Sequence, residues 1–305
     1  MAKTFQQAIT DVSVLANDAT LNIGGSNETT TKSLLNMGIK FVLSMADWNF
    51  NKTYVDITSV DGTQGYAIPQ NAARVSDVFV YANSIWYTPV EIKDETKWRQ
   101  LNYTTTDESD ATQFWHFSMA NGKVELYPTP ASNGNTIRVN YTKKVRDLSD
   151  TTGYSTGTIS TTANGSTITG AGTTFTARMV GSSLKITSTT TAAGDFWYEI
   201  MSYTSALSIA VKPTVPATIA GASYTINEMI PFAEGFEDIA IWFALDKYYQ
   251  TKEMPGMANQ YSMMWRDALQ EMKARDQRSV KGLLKREDGS QVIDSNYNPW
   301  TISIS

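Results

Sequence analysis

Apolar side chains recur every three or four residues near both ends of the chain, which is the period of an amphipathic helix. At the start, Phe5–Leu15 has this pattern, and Gly24-Gly25 separates it from a second predicted helix, from near Thr30 to Trp48. Towards the end, Phe236–Leu245 is apolar on almost every side, so this helix should be buried on most of its faces. A further stripe from Met257 to Met272 predicts one more helix.

Between these helices the pattern changes to short runs in which apolar and polar side chains alternate, as in half-buried antiparallel strands. Asn121-Gly122 separates two of the runs and is a strong signal for a two-residue hairpin. The predicted runs are Tyr54–Ile57, Gly65–Pro69, Arg74–Tyr81, Ile85–Tyr87, Gln113–Phe117, Lys123–Tyr127 and Thr136–Tyr141. The region 54–148 is therefore predicted to be antiparallel β structure.

Residues 151–228 differ in composition, because Thr, Ser and Gly dominate and charged side chains are sparse. Short apolar runs such as Leu207–Val211 recur between turn-forming pairs such as Asn164-Gly165. This pattern favours a small all-β module, and disorder of a low-complexity segment is the alternative. The sequence thus predicts an α+β protein. A helical bundle from the N- and C-terminal helices and an antiparallel β region form one core at 1–150 and 229–305, around an inserted β domain at 151–228.

The last segment, at about 280–305, is predicted to be an extended arm. Trp300, Ile302 and Ile304 alternate with polar residues, which is the period of a strand with one apolar face. An apolar tail of this kind is expected to dock on a partner, for example by adding a strand to the partner's sheet. A basic stretch precedes it, formed by Lys273, Arg275, Arg278, Lys281, Lys285 and Arg286 and opposed mainly by Asp276 and Glu287. The predicted docking residues are Lys281, Lys285, Arg286, Tyr297, Trp300, Ile302 and Ile304.

Composition limits the chemistry that the chain can perform. Its 305 residues contain no cysteine, which excludes thiol nucleophiles, disulfides and thiolate metal sites. The single histidine, His116, cannot form a His-rich zinc site, whereas an all-carboxylate site for a hard cation stays open. A net charge of −5 argues against tight, sequence-specific DNA binding, but it suits a surface past which DNA must slide.

No stretch approaches the roughly 20 consecutive apolar residues of a membrane-spanning helix. The opening Met-Ala-Lys-Thr-Phe also lacks the basic region and apolar run of a signal peptide. We therefore expect a protein that is made and folded in a cytoplasm and has no membrane partner.

Three motifs match catalytic or phosphate-binding patterns only in part. Gly153–Gly157 fits Gly-x-Ser-x-Gly, but it lacks the strand–turn–helix context of a nucleophile elbow. Without that context His116 is best explained as an ordinary residue of a strand. Gly170–Thr173 could cradle a phosphate, but no lysine follows at the required spacing.

Two acidic clusters remain, one at Asp107–Asp110 and one formed by Glu91, Asp94 and Glu95. Paired carboxylates could serve glycoside hydrolysis, but adjacent carboxylates in a polar loop are more often simply solvated. We therefore predict a protein without a catalytic, cofactor-binding or metal site.

The order of these features resembles that of the head-to-tail adaptor, or connector, proteins of tailed bacteriophages. The resemblance is carried by Trp48-Asn49-Phe50 after the N-terminal helices, Tyr66–Pro69, Arg74–Val78, Leu126–Pro130, Ile137–Tyr141, Leu148-Ser149 and the closing helical hairpin. In addition, the stretch from Asn164 to Phe175, followed by Val180-Gly181, is similar to a small β module of phage structural proteins.

This resemblance implies a non-enzymatic virion protein of the neck, assembled in the bacterial host cytoplasm and needing no cofactor. Its expected partners are further copies in a ring, typically twelve, the portal protein, and a tail, nozzle or stopper protein. Genomic DNA would be only a passing, non-specific contact. The arm would then dock on the portal or on a neighbour, and Asp107, Glu108 and Asp110 are candidates for lining the channel.

Two alternatives stay open. One is another neck or tail protein, such as a stopper or tail tube, although helices at both ends of the chain favour an adaptor. The other is a glycan-binding or glycan-cleaving receptor protein, with the Thr-rich module as its binding part.

Overall fold

The computed structural model describes residues 3–104, 116–120, 122–149, 152–187 and 192–281. Within these ranges, five α-helices combine with three sheets whose strands are almost all antiparallel, so the α+β prediction is confirmed. The helices are α1 (Phe5–Ala16), α2 (Glu28–Ser44), α3 (Glu95–Thr104), α4 (Asp238–Thr251) and α5 (Pro255–Lys281).

All helices except α3 contribute to one hydrophobic cluster, with α4 packed against α1, α2 and α5. At its centre the ring of Phe243 lies 5.3 Å from that of Phe41 and 5.5 Å from that of Trp265. As predicted, α4 is buried on most of its faces, and even Asp246 is buried there. The Asp246 carboxylate accepts hydrogen bonds from Trp265 Nε1 at 3.1 Å and Gln250 Nε2 at 2.6 Å, which satisfies it away from water.

The second helix ends at Ser44 and not at Trp48, so that boundary was predicted wrongly. Trp48 is nevertheless almost completely buried, and its Nε1 donates to the Val42 carbonyl oxygen at 2.9 Å. The indole is thereby a second donor to this carbonyl oxygen, which also accepts from Met45 N at 3.1 Å where the helix ends. Trp48 continued the apolar spacing of the helix, but its side chain folds back onto the last turn of α2 from outside the helix.

Two four-stranded sheets follow, in the strand orders β1-β8-β3-β4 and β2-β7-β6-β5. Val80 and Val139 of the first sheet and Val124 and Leu126 of the second belong to one buried cluster. The predicted hairpin is present, because β6 and β7 pair up to Ala120↔Lys123 across a two-residue turn. The strands are β1 (Lys52–Thr58), β2 (Gly65–Ala67), β3 (Ala72–Ala82), β4 (Ile85–Tyr87), β5 (Val90–Glu91), β6 (His116–Ala120), β7 (Lys123–Tyr127) and β8 (Thr136–Lys143).

Three features of this region differ from the sequence prediction. Strand β5 lies where no strand was predicted. Strands β5 and β6 are parallel, whereas only antiparallel pairing was expected. Helix α3 lies between them, where no helix was predicted, and it provides the longer connection that a parallel pair needs. Asp94 begins α3, because its carboxylate accepts from Thr96 N at 2.9 Å. Trp98 anchors the helix, since it is buried and its Nε1 donates to Glu125 Oε2 at 2.9 Å.

The Thr/Ser/Gly-rich region contains one seven-stranded antiparallel sheet, so disorder is wrong for its described residues. All seven strands contribute to a single hydrophobic cluster, which means that the sheet curves around its own core. The strand order is β14-β9-β10-β13-β12-β11-β15. The strands are β9 (Thr158–Thr161), β10 (Gly165–Ala171), β11 (Ser183–Ile186), β12 (Trp197–Ser205), β13 (Ser208–Val215), β14 (Ile219–Ala222) and β15 (Tyr224–Asn227).

The packing of α2 on α4 depends on Gly38. A Cβ at this position would lie 3.0 Å from Cδ1 of Phe243, whose ring is held by Phe41 and Trp265. We expect Gly38→Ala to lower the free energy of unfolding by about 1–2 kcal/mol, because overpacking outweighs the gain in helix propensity. Gly256→Ala is the matched control, since a Cβ there meets nothing within 4 Å. Equal stability of the two variants in urea denaturation would contradict this account of the contact.

Candidate functional site

The chain passes from the helical cluster to the seven-stranded sheet and back through two neighbouring segments, 144–149 and 228–230. Glu228, in the returning segment, is 4% exposed. Its Oε2 accepts from Ser149 N in the outgoing segment, and its Oε1 lies 3.4 Å from Arg146 Nη2 and 3.6 Å from Arg178 Nη2. We call Arg146, Ser149, Arg178 and Glu228 the junction cluster.

Arg146 connects this cluster to the seven-stranded sheet. Its Nη1 donates to the Val180 carbonyl oxygen at 2.8 Å, and its Nη2 donates to Ser182 Oγ at 2.7 Å. Burial lowers the pKa of the Arg146 guanidinium below its usual value, while the charge of Glu228 opposes that shift. An arginine side chain nevertheless stays charged in a protein. The partly buried Arg146 and the buried Glu228 therefore each need the opposite charge of the other.

Helices α1 and α2 hold the same two segments from the opposite side. Phe5 N donates to the Glu228 carbonyl oxygen at 2.8 Å, and Ile230 N donates to the Lys3 carbonyl oxygen at 3.0 Å. On α2, the Asn36 side chain exchanges two 2.8 Å hydrogen bonds with the backbone of Leu148. The junction cluster is thus a fixed connection, and it sets where the seven-stranded sheet lies relative to the helices.

A second polar contact links the seven-stranded sheet to the first four-stranded sheet. Lys212 Nζ donates to the Tyr54 carbonyl oxygen at 2.9 Å and lies 3.5 Å from the centre of the Tyr54 ring. On the same ring, the Arg138 guanidinium is 4.2 Å from the centre. Asp56 binds Arg138 with two hydrogen bonds of 2.7 and 2.8 Å, so the arginine is held flat against its neighbours.

This cation–π arrangement continues to an exposed edge. Arg138 also lies 4.7 Å from the ring centre of Trp86, which in turn contacts the ring of Tyr81 at 5.1 Å. Trp86 is 40% exposed and Tyr81 is 38% exposed. We call Tyr54, Tyr81, Trp86 and Arg138 the aromatic face. Trp, Tyr and Arg, which meet here in one partly exposed surface, are the residue types that dominate binding energy in protein–protein contacts.

Most of the docking and channel residues that were predicted from the sequence lie outside the part of the chain that the structure describes. Of the predicted docking residues, Lys281 is the last residue of α5, whereas Lys285, Arg286, Tyr297, Trp300, Ile302 and Ile304 lie outside the described ranges. The acidic residues Asp107, Glu108 and Asp110 also lie outside them.

Within the basic stretch before the arm, two residues serve intramolecular contacts. Arg275 lies 5.7 Å above the ring of Phe236, and both carboxylate oxygens of Asp276 accept from Asn49 N at 3.1 Å. This part of α5 is therefore held against the segment that leads into β1, which limits how much of the stretch is available to a partner.

The partial catalytic motifs have structural roles in the fold. Tyr154 of Gly153–Gly157 forms a β-bridge with Ile226, so the motif is not the strand–turn–helix of a nucleophile elbow. Asp94 of the second acidic cluster caps α3, as described above. Glu95 of the same cluster pairs with Arg99 one helical turn further on. The described residues contain no group of three or more His, Cys, Asp or Glu side chains arranged to hold a metal.

None of the described helices is both long enough and apolar enough to span a membrane. Comparison with curated proteins gives no match.

A match to a family sequence model supports one class for this chain, a phage head-to-tail adaptor, which is a structural protein of the virion neck. The sequence model of one family, described as SU10 adaptor protein, matches residues 3–165, which is more than half of the chain. The chain therefore belongs to the SU10 adaptor protein family, and the resemblance found in the sequence is confirmed. Within the described ranges, the match includes α1 to α3 and the two four-stranded sheets, and it stops at the first residue of β10.

Sequence reasoning missed both the junction cluster and the aromatic face. One signal was available for the first: Glu228 is an isolated acidic residue beside the apolar Met229-Ile230, at the boundary where the composition changes. For the second, Tyr54 and Asp56 alternate with apolar residues on one predicted strand, as Arg138 does on another, but their pairing depends on the strand register.

The junction cluster predicts a large effect of one neutral substitution. Glu228→Gln keeps an oxygen that can accept from Ser149 N, but it leaves Arg146 without its carboxylate. We expect the free energy of unfolding to fall by about 1–3 kcal/mol, and amide exchange to rise in segments 144–149 and 178–182. The same substitution at the exposed Glu271 of α5 should change stability by less than about 0.5 kcal/mol. Indistinguishable unfolding curves would show that the ion pair does not hold the junction.

Proposed function

We propose that the chain is a non-enzymatic subunit of a closed ring between the portal and the tail, with a central channel through which DNA passes. Twelve copies per ring are proposed. The observation that carries the proposal is the match to an adaptor family over residues 3–165. The aromatic face supports it, because a ring needs a surface on each subunit that binds a different surface on the next.

The junction cluster fits this role for a mechanical reason. A subunit that transmits the load between head and tail must keep its parts in fixed relative positions, and the buried Glu228 with its arginine partners does this at the connection. We propose in addition that α1, α2, α4 and α5 form a bundle. Together with the two four-stranded sheets it would be the adaptor core, at 1–150 and 229–305. The seven-stranded sheet would be an inserted domain at 151–228.

The C-terminal arm is proposed to dock on the portal or on a neighbouring subunit. A tail, nozzle or stopper protein is proposed to bind the tail side of the ring. The basic end of α5 and the apolar alternation of the last residues support this assignment. The residues involved would be Lys281, Lys285, Arg286, Tyr297, Trp300, Ile302 and Ile304. Assembly would take place in the bacterial cytoplasm.

A stopper or tail-tube role remains the alternative within neck and tail proteins, and the adaptor family match favours the first choice. A glycan-binding receptor protein is the alternative outside this class, and a glycan array with a sugar-release assay would identify it. Reproducible glycan cleavage would overturn the proposal of a non-enzymatic adaptor.

Mixing the purified chain with its portal protein tests the ring directly. We expect light scattering to show a monomer before mixing, and electron microscopy to show a ring of twelve copies on the portal afterwards. Trp86→Ala should weaken ring formation at least about tenfold, because a central Trp supplies much of the binding energy of a contact.

Phe196→Ala is the matched control for this experiment, since Phe196 is an exposed aromatic residue immediately before β12, outside the aromatic face. Equal assembly of the two variants would exclude the aromatic face as the subunit contact. A chain that stays monomeric on a competent portal would overturn the ring itself.

The acidic residues Asp107, Glu108 and Asp110 are proposed to line the channel, where negative charge would lower the affinity for passing DNA. Replacing all three with Lys should slow genome release from assembled particles, and raising the salt concentration should reduce the difference. Replacing the exposed Glu271 and Asp267 of α5 with Lys gives a control that also changes net charge. Unchanged release kinetics in the triple variant would remove these residues from the channel.

A further inference from the structure

Strand β1 forms an outer edge of its sheet. Among the described strands it pairs only with β8, in a regular register from Lys52↔Thr142 to Thr58↔Thr136. In an antiparallel pair, alternate residues direct their N–H and C=O groups away from the partner strand. Tyr54 is one of these residues, because its carbonyl oxygen accepts from Lys212 of the seven-stranded sheet. Asp56 and Thr58, two and four residues further on, therefore present their backbone groups to the same open side.

The open part of this edge is short and has two defined limits. Lys212 occupies it at Tyr54. At the other end β1 stops at Thr58, and the chain turns after the buried Ser59, where Thr63 N donates to the Val60 carbonyl oxygen at 3.0 Å. Residues Val55–Thr58 remain between these limits. An open edge with apolar side chains is a site where a further strand can add.

Apolar and polar side chains alternate along this edge, and an added strand would need the same alternation. Val55 and Ile57 pack against the cluster between the two four-stranded sheets but stay partly exposed, and none of the described strands pairs with β1 on that outer side. Asp56 and Thr58 are exposed on the other face of the sheet. A complementary strand therefore needs two apolar residues separated by one polar residue.

We propose that residues 301–304 of the same chain add to the edge of β1 as a fifth strand in the free subunit. Ile302 and Ile304 would extend the apolar side beside Val55 and Ile57, while Ser303 would lie opposite Asp56. This pairing of Ser303 with Asp56 is the same for a parallel and for an antiparallel strand. Of the three apolar residues that alternate at the end of the chain, the open edge has room for two, Ile302 and Ile304.

The end of α5 places this segment within reach. Asp276 binds the backbone N–H of Asn49, three residues before β1, so the last turns of α5 lie beside the start of the strand. From Lys281 to the far end of β1 is a distance on the order of 30 Å, by the rise of a helix and of a strand. Residues 282–299, if extended, can span up to about 60 Å.

A tethered segment of the same chain has an advantage over a neighbouring copy, because the tether gives an effective concentration on the order of millimolar. Docking in the same chain would cover the apolar side of the arm before assembly. The portal or a neighbour would then have to release the arm in order to bind it. This inference goes beyond the proposed ring and concerns the free subunit, so it can fail while the ring proposal stands.

Disulfide formation in the full-length chain tests the pairing, since the natural sequence has no cysteine that could interfere. The variant Asp56→Cys with Ser303→Cys places two thiols opposite each other, at a Cα separation of about 5.5 Å that suits a disulfide. Under mild oxidation we expect an intramolecular bond that forms at least about tenfold faster than in the control. The control is Met263→Cys with Ser303→Cys, because Met263 is 67% exposed on α5 and reports chance collisions of the arm.

Equal rates in the two variants would overturn the proposal. A bond that forms between two chains, at a rate that rises with protein concentration, would also overturn it and would assign the edge to a neighbouring copy.

A second measurement avoids the loss of the Asp56–Arg138 ion pair in the cysteine variant. Deleting residues 300–305 should increase amide hydrogen exchange at Asp56 and Thr58 at least about tenfold, because their N–H groups lose their partners. Exchange along β4, the opposite edge of the same sheet, should not change. Unchanged exchange at Asp56 and Thr58 would show that the arm does not cover this edge.

Discussion

The carboxylate of Glu228 lies almost completely out of contact with water, and a charge in that position is tolerated only if other charges and hydrogen-bond donors surround it. The partners come from three places in the chain: Ser149 N, the Arg146 guanidinium and the Arg178 guanidinium. Because Arg146 also binds the carbonyl oxygen of Val180, any displacement of the seven-stranded sheet would leave buried polar groups without partners. This requirement, more than the apolar contacts within each cluster, fixes how the parts of the subunit are arranged.

The helices could be predicted from the sequence because their periodicity is local. The almost uniformly apolar stretch at 236–245 predicted a buried helix, and most faces of α4 are indeed buried. Helix α3 could not be predicted in the same way, because Glu95–Thr104 is mostly polar and only Trp98 is known to anchor it. Asp94, which caps the start of this helix, was assigned to an acidic cluster. The sequence alone does not distinguish an aspartate that caps a helix from one that is only solvated. Most of the strands were found, but β5, β9, β14 and β15 were not, and neither was the parallel pairing of β5 with β6.

The two contact surfaces were harder to predict than the elements that carry them. Asp56 and Arg138 are 82 residues apart in the chain, and only the register of β1 on β8 brings them together. The position of Trp86 beside Arg138 requires in addition that β3 lies between β8 and β4. A strand shifted by one residue would place these side chains on the opposite face of the sheet. Residues that combine in this way are therefore recognisable only once the fold is known, although each of them was visible in the alternating pattern.

The charge distribution affects how the surface of the subunit would interact with DNA in the proposed channel, beyond what net charge alone indicates. Many of the cations in the described chain lie against carboxylates, among them Lys3 with Asp11 and Asp238, Lys143 with Glu199, and Arg138 with Asp56. Partly exposed ion pairs of this kind add little to stability, but they cancel the local positive potential that would attract phosphates. Affinity for DNA depends on how many phosphates a surface can neutralise, so paired cations contribute less to it than their number suggests. With a net charge of −5 as well, a collar of such subunits would be a poor ligand for DNA, which is what passage of a genome through it requires.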